Sequence, residues 1–249
     1  MNDTYETIYS KRGDRYHDAM MRWPAARNAE FESLIHMANL PERPILALDI
    51  PSGGGYLRRH LSPHVTLVSA DPAESFLHAG RQDGVSPAMC CPHDRVPVPD
   101  AHFDAVLSLA GVHHQDNQED IFREWRRLLK KNGILAVGDV RAGSPTACFL
   151  DEVVDRFNSM GHRGRYFTPS IADTLTRAGF RNIRVETRTY DWPFACESDM
   201  TEFCRILFGM DRRPSDSELL AEIARTTGYD RSADGCRLHW ELLFVRAMA

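Results

Sequence analysis

Ile45-Leu46-Ala47-Leu48-Asp49-Ile50-Pro51-Ser52-Gly53-Gly54-Gly55-Tyr56-Leu57 is the stretch on which the fold turns. An apolar run of strand length leads to an acid, then to a glycine-rich bend, and helix-forming residues resume at once. Glycine lets the backbone approach a ligand closely, and the N-terminus of a following helix favours a carboxylate or phosphate. Sixteen residues beyond Gly55, a second apolar run ends on Asp71. An acid at this point of a strand–helix–strand unit is placed to accept hydrogen bonds from ribose hydroxyls.

Outward from this unit the alternation continues. Strands are predicted at residues 45–50, 65–70, 88–91, 103–110, 134–140, 181–189 and 237–246. Helices are predicted at 73–80, 118–131 and 146–160, with another opened by Thr168-Pro169 and closed at Ala178-Gly179. Near-continuous apolar strands alternating with helices indicate a parallel sheet covered on both faces. Residues 25–39 carry apolar groups at helical spacing before Pro41 and Pro44 stop the helix. Residues 191–235 break the rhythm and read as two helices, about 198–209 and 215–226. The expected fold is therefore α/β: a doubly wound, mostly parallel seven-stranded sheet. An N-terminal helical segment (1–43) closes the site, and a domain over 44–249 carries a helical cap insert at about 191–235.

Composition bounds the function. The chain has 249 residues, 43% hydrophobic and 26% charged, within the range of ordinary globular domains. No apolar run has the length of a spanning helix, and the polar start lacks the apolar core of a signal peptide, so a cytoplasmic protein without membrane contact is expected. A formal net charge of −5 argues against wrapping nucleic acid, which needs a dense cationic face. The cysteines, at 90, 91, 148, 196, 204 and 236, form no CxxC pair and no zinc-like spacing with histidine, so no metal is expected. Cys90 and Cys91, adjacent inside an apolar stretch, read as buried thiols rather than a bridge.

Three further blocks carry a resemblance. Cys91 to Asp104 holds an acid, two prolines and a Phe-Asp entry to the fourth strand; that strand runs into Gly111-Val112-His113-His114; Glu124, Leu128 and Leu129 precede Asn132-Gly133-Ile134-Leu135. With the glycine bend and Asp71, these blocks resemble the class I S-adenosylmethionine-dependent methyltransferase family, especially its small-molecule branch, over about residues 44–190. The resemblance implies a Rossmann-like sheet and S-adenosyl-L-methionine as cofactor. It assigns Asp49, Pro51, Ser52, Gly53, Gly54 and Gly55 to the methionyl side, Asp71 to the ribose, Pro72 to the adenine face, and Leu109 and Ala110 to the end of the fourth strand. Pro51 stands where the family has the first glycine of its loop, and Pro92 where an acid commonly holds the adenine amino group; His93 or Asp94 would substitute for the latter.

Ligands in open α/β sheets lie outside the carboxyl ends of the strands, so catalytic groups are expected there. His113 and His114 follow the fourth strand and suit a general base; Arg141 ends the fifth and suits an acceptor carboxylate or phosphate. Tyr5, Tyr9 and Tyr16 near Arg12 and Arg15, and the loop His162-Arg163-Gly164-Arg165-Tyr166, are expected at the acceptor. The partner expected is a small molecule, and the assembly a monomer or homodimer. Competing readings are an NAD-dependent oxidoreductase, disfavoured because no G-x-G-x-x-G loop is present; a methyltransferase of RNA, DNA or protein; and a non-catalytic cofactor binder on the same fold.

Overall fold

The computed structural model describes residues 5–76 and 88–249. Strands β1 (Ile45–Asp49), β2 (Val65–Asp71), β3 (Ala88–Cys90), β4 (Phe103–Leu109), β5 (Leu129–Asp139), β6 (Arg181–Phe194), β7 (Tyr229–Ser232) and β8 (Gly235–Met248) form one sheet. Its order is β3-β2-β1-β4-β5-β8-β6, with β7 paired to β8. The five strands β3 to β5 are mutually parallel, whereas β8 runs antiparallel to both β5 and β6. This is the Rossmann-like methyltransferase architecture. The short strand β7 is additional to the seven expected; its sequence, Tyr-Asp-Arg-Ser, is too polar and too brief to show a period.

Alternate residues of the central strands enter opposite layers. Ala105 and Leu107 of β4, Ala136 of β5 and Phe244 of β8 pack into one buried cluster. Val106, Leu135, Val137, Leu243 and Val245 pack into the other. Both faces are thus dry, as the sequence implied. The second layer rests on α3 (Gln118–Leu128), whose Ile121, Phe122, Trp125 and Leu128 recur at helical spacing and are buried. Acids open that helix and Arg126 and Arg127 close it, complementing its dipole.

The first layer is covered by α1 (Tyr5–Arg22) and α2 (Asn28–Ala38) and by a helix over 145–157, in which Pro145–Cys148 passes into a π-helical stretch, Phe149–Val154, and a final turn, Asp155–Phe157. Ser144 caps it, accepting from the Ala147 amide at 3.0 Å, and Pro145 takes the first turn. The helix expected from Thr168-Pro169 begins at Ile171 (α4, Ile171–Arg177), because the Thr168 and Ser170 hydroxyls bond each other and no side chain caps the helix. Between β6 and β8 lie α5 (Glu197–Leu207) and α6 (Asp216–Arg225), the latter opened by a reciprocal Ser215–Glu218 capping box. Of the helix expected at 73–80, residues 77–80 lie outside the described residues.

Strand order reverses between β1 and β4, so a crevice opens at their carboxyl ends. β5 approaches this edge tightly: a Cβ added at Gly138 would lie 2.4 Å from Cε1 of Phe244, itself fully buried, and 2.9 Å from Leu109. Gly138→Ala is therefore expected to cost about 1–3 kcal/mol, read as a lower midpoint in denaturant unfolding with an unchanged m-value.

Candidate functional site

The glycine bend is held by the acid that ends β2. Asp71, fully buried, accepts the Gly53 amide on Oδ2 and the Ala73 amide on Oδ1, each at 2.8 Å. Gly53 and Gly55 have φ of +53° and +76°, the left-handed region that glycine enters freely. Gly54 packs so closely under Tyr56 that a Cβ would stand 2.6 Å from its hydroxyl. The Ile50–Pro51 peptide is cis.

Asp49 ends β1 beside this bend at 3% exposure, and its Oδ2 has no hydrogen-bond partner. Burial, and then the neighbouring Asp71, raise its carboxyl well above the usual range. A buried carboxylate oxygen lacking a partner is costly, and a cation placed there would relieve the cost. Asp49, Pro51, Ser52, Gly53, Leu109 and Ala110 line a narrow cleft. Tyr9, Tyr16, Tyr56 and Phe76 close it, with Phe76 5.1 Å from Tyr9 and 5.4 Å from Tyr16, ring centre to centre.

Across a common wall lies a cavity of about 510 Å³, a size suited to a small ligand. Tyr9, Tyr16, Arg27 and Ala110 line both spaces. The cavity floor is apolar: Trp192 stacks on Trp240 at 4.3 Å, Phe208 lies over both, and Leu150, Val154, Leu207 and Leu242 complete it. The other end is polar, formed by His113, His114, His162 and Arg12.

His113, 5% exposed, is fixed by β5: its Nδ1 lies 2.6 Å from Asp139 Oδ1, and its backbone amide donates to Asp139 Oδ2 at 3.0 Å. Asp139 is fully buried and also accepts the Val140 amide. His114 packs against His113 at 4.0 Å between ring centres. Burial, then the neighbouring His113 and His162, pull its pKa well below the ordinary value. His162 is pulled down to about 3, chiefly by burial. Arg12 donates to the Leu207 carbonyl at 3.3 Å, its Nε has no partner, and no carboxylate pairs with it among the described residues. Arg27 and Glu30 form a buried ion pair between the two spaces, and Arg27 also donates to the Tyr16 hydroxyl. Burial opposes the charge on Arg27, but Glu30 outweighs it and raises the guanidinium pKa.

The remaining expected residues scatter. Arg141 stands outside the cavity in an ion pair with Glu241, its Nε 2.7 Å and Nη2 2.6 Å from Oε1, so its fork is engaged. Arg165 reaches the cavity rim, exposed, and donates to the Asp116 carbonyl at 2.7 Å. Tyr166 lies behind the histidines, bonded to Asp151. Asp71, Pro72, Gly54, Gly55, His93 and Asp94 line neither space. Asp71 serves the bend instead; His93 is buried, and Asp94 is exposed and accepts from Asn117. The side chain of Tyr5 lies outside what is described. Sequence reasoning missed Asp139 and the Arg27–Glu30 pair. An acid closing an apolar strand, Val137-Gly138-Asp139, was the available signal for the former.

Residues 48–137 match the methyltransferase domain family. The ubiquinone/menaquinone biosynthesis C-methyltransferase UbiE of Pseudomonas fluorescens (strain Pf0-1) is 32% identical over 122 residues, 45% of this chain and 47% of that protein. The chain thus spans about half the length of the curated relatives it matches. Among solved structures, phosphoethanolamine N-methyltransferase 2 of Haemonchus contortus, in complex with phosphomonomethylethanolamine and S-adenosylhomocysteine, superposes with a TM-score of 0.67 at 14% identity, covering 98% of this chain and 60% of that one. The [4+2]-cyclase SpnF superposes at 0.64 and 14% identity, over 99% and 96%. At these identities the structural likeness is one of fold.

Burial of His93 sets an acid limit on stability. Its pKa falls from 6.5 to about 4 on folding, so between those values the unfolded chain binds the extra proton. Stability is therefore expected to fall by about 1.4 kcal/mol per pH unit from this group as pH drops through that window, and to level below it. Thermal unfolding followed from about pH 7 to about pH 4 should show a flatter slope in His93→Gln.

Proposed function

With a class I methyltransferase fold and a methyltransferase domain over residues 48–137 as the premise, we propose that this chain transfers a methyl group from S-adenosylmethionine to a small molecule held in the large cavity. The observation that carries this reading is the shared wall. Tyr9, Tyr16, Arg27 and Ala110 separate a cleft containing an unpartnered carboxylate from a cavity headed by an Asp–His pair. Donor and acceptor held on the two sides of such a wall would meet at the end of β4, and alignment is the first requirement of an in-line displacement.

The residues present fit the cofactor. The orphan Oδ2 of Asp49 takes the ammonium group of its methionyl part, and the bend from Pro51 to Gly53 supplies backbone rather than side chains along the cleft. Asp71 acts through the bend by holding the Gly53 amide. When bound, S-adenosylmethionine supplies a methyl group made electrophilic by its sulfonium; the carbon–sulfur bond breaks as the bond to the acceptor forms, and a neutral thioether remains. The N-terminal segment closes the site, since Tyr9 and Tyr16 lie across the cleft and exclude water from it.

The family match ends before the helix over 145–157, the 161–167 loop and the cap, which contribute to the cavity lining. Stacked Trp192, Phe208 and Trp240 take a planar apolar body. Arg12 and the histidines take an oxygen-bearing head, and the proton that leaves the acceptor is received on the His113–Asp139 side.

Calorimetry tests the cofactor reading. S-adenosylmethionine and S-adenosylhomocysteine, which share the ammonium group, should both bind, and Asp49→Asn should weaken both at least tenfold. The same substitution removes a buried carboxyl with a raised pKa, so the ligand-free variant should melt higher near neutral pH. Absence of heat with either ligand in the wild type overturns the assignment. Turnover is tested by incubating the protein with methyl-labelled cofactor and a low-molecular-weight metabolite extract. Asp139→Asn, which leaves His113 without its carboxylate, should lower kcat about 10²-fold or more with the cofactor KM unchanged.

A further inference from the structure

Three imidazoles meet at the polar end of the cavity, delivered by two separate parts of the chain. His113 and His114 come from the turn Val112–His114 after β4, and His162 from the loop that follows the helix over 145–157. One nitrogen of each lies within 4.8 Å of the others. Their ring centres are 4.0 Å apart for His113 and His114, 5.7 Å for His113 and His162, and 5.4 Å for His114 and His162.

Two of the rings are held in the state a ligand requires. His113 turns Nδ1 to Asp139 at 2.6 Å, so Nε2 is the nitrogen left for an ion. The Tyr166 hydroxyl donates to Asp151, so at its 3.3 Å contact with His162 the tyrosine oxygen accepts from Nδ1–H, again leaving Nε2. An outer carboxylate or hydroxyl on the far nitrogen is the arrangement that orients metal-bound histidine. Nitrogens on a tetrahedral ion with 2.0–2.1 Å bonds stand roughly 3.4 Å apart, so modest ring rotations close the triad around an ion. The adjoining cavity leaves the fourth position open.

We propose that His113, His114 and His162 form a binding site for a divalent transition metal of the zinc class, open toward the acceptor cavity. Three neutral nitrogen donors select zinc, cobalt or nickel over magnesium or calcium, which prefer oxygen. The spacing of these residues along the chain conceals the site, because His162 joins the His-His pair only through the fold. Ion binding stands independently of methyl transfer. Its use, holding an acceptor oxygen and favouring its deprotonated form, rests on the methyltransferase reading; with Nε2 on the ion, His113 serves as a ligand in place of receiving the acceptor's proton.

The test uses the full chain after chelator dialysis, without cofactor. Zinc titrated in a calorimeter should bind one ion per chain, and cobalt should give the visible absorption of a low-symmetry nitrogen site. His162→Gln should weaken zinc at least tenfold and abolish the cobalt band. Asp139→Asn should weaken zinc about 10–100-fold. His239→Ala, which alters the separate surface contact with Asp191, should leave affinity unchanged. Circular dichroism of each variant confirms folding. Failure of wild type to bind zinc, or zinc affinity unmoved by His162→Gln, overturns the site, whereas S-adenosylhomocysteine calorimetry on the same sample reports the cofactor reading separately.

Discussion

A parallel sheet buried on both faces has little room for polar function except at its ends. In this protein β1, β2 and β5 each finish on a buried acid, Asp49, Asp71 and Asp139, all at the carboxyl edge. The reversal of strand order between β1 and β4 parts the edge beside Asp49, which alone of the three lines a cleft. The three carboxylates have different surroundings. Asp71 is spent on backbone amides and shapes the bend; Asp139 holds His113; Asp49 keeps one oxygen without a partner. One edge therefore carries a structural acid, an orienting acid and an acid with one oxygen lacking a partner.

The same logic explains the charges on the other side of the cavity. Arg27 and Glu30 are both buried and paired, and Glu30 raises the pKa of the Arg27 guanidinium against its burial; removing Glu30 leaves an uncompensated charge in a dry site. Placed between cleft and cavity, the pair gives the wall a fixed polar element without net charge. Arg12 contrasts with it. With a carbonyl contact and no carboxylate partner among the described residues, its guanidinium leaves charge available to whatever enters.

What was legible in the sequence follows from the range of each interaction. The strand and glycine bend at 45–55, the parallel sheet and the apolar strands depend on local period and composition, and the structure reproduces them, with a 3-10 helix at Tyr56–His60 after the bend. His113 and His114 were placed at the cavity because the end of a strand is a local property. Arg141 also ends a strand, yet Glu241, a hundred positions along the chain, draws it into an ion pair that no spacing announces. Asp139 was overlooked because its partner lies 26 positions earlier and meets it only across adjacent strands. Asp71 shows the converse: its position was read correctly, but its carboxylate turns inward to Gly53 rather than toward open space. The helix Tyr5–Arg22 is legible only as part of the 1–43 helical segment expected to close the site, without bounds of its own, since its sequence is strongly polar.

The fold by itself leaves the chemistry open, as its likeness to both an N-methyltransferase and a [4+2]-cyclase makes plain. The likeness extends over 98–99% of this chain, so chemistry is set by the side chains that the elements around the sheet edge carry. Here those elements are the N-terminal helices, the 161–167 loop and the insert between β6 and β8, and each contributes a different kind of surface to one cavity. The N-terminal helices bring Tyr9, Arg12 and the Arg27–Glu30 pair; the loop brings His162; the insert brings Leu207 and Phe208 onto Trp192 and Trp240 of the flanking strands. Because these groups are anchored on separate elements, the polar end and the apolar floor can change independently of the sheet that carries Asp49. On the proposed reading, selectivity for the acceptor is a property of these outer elements, and capacity for the donor a property of the strand ends.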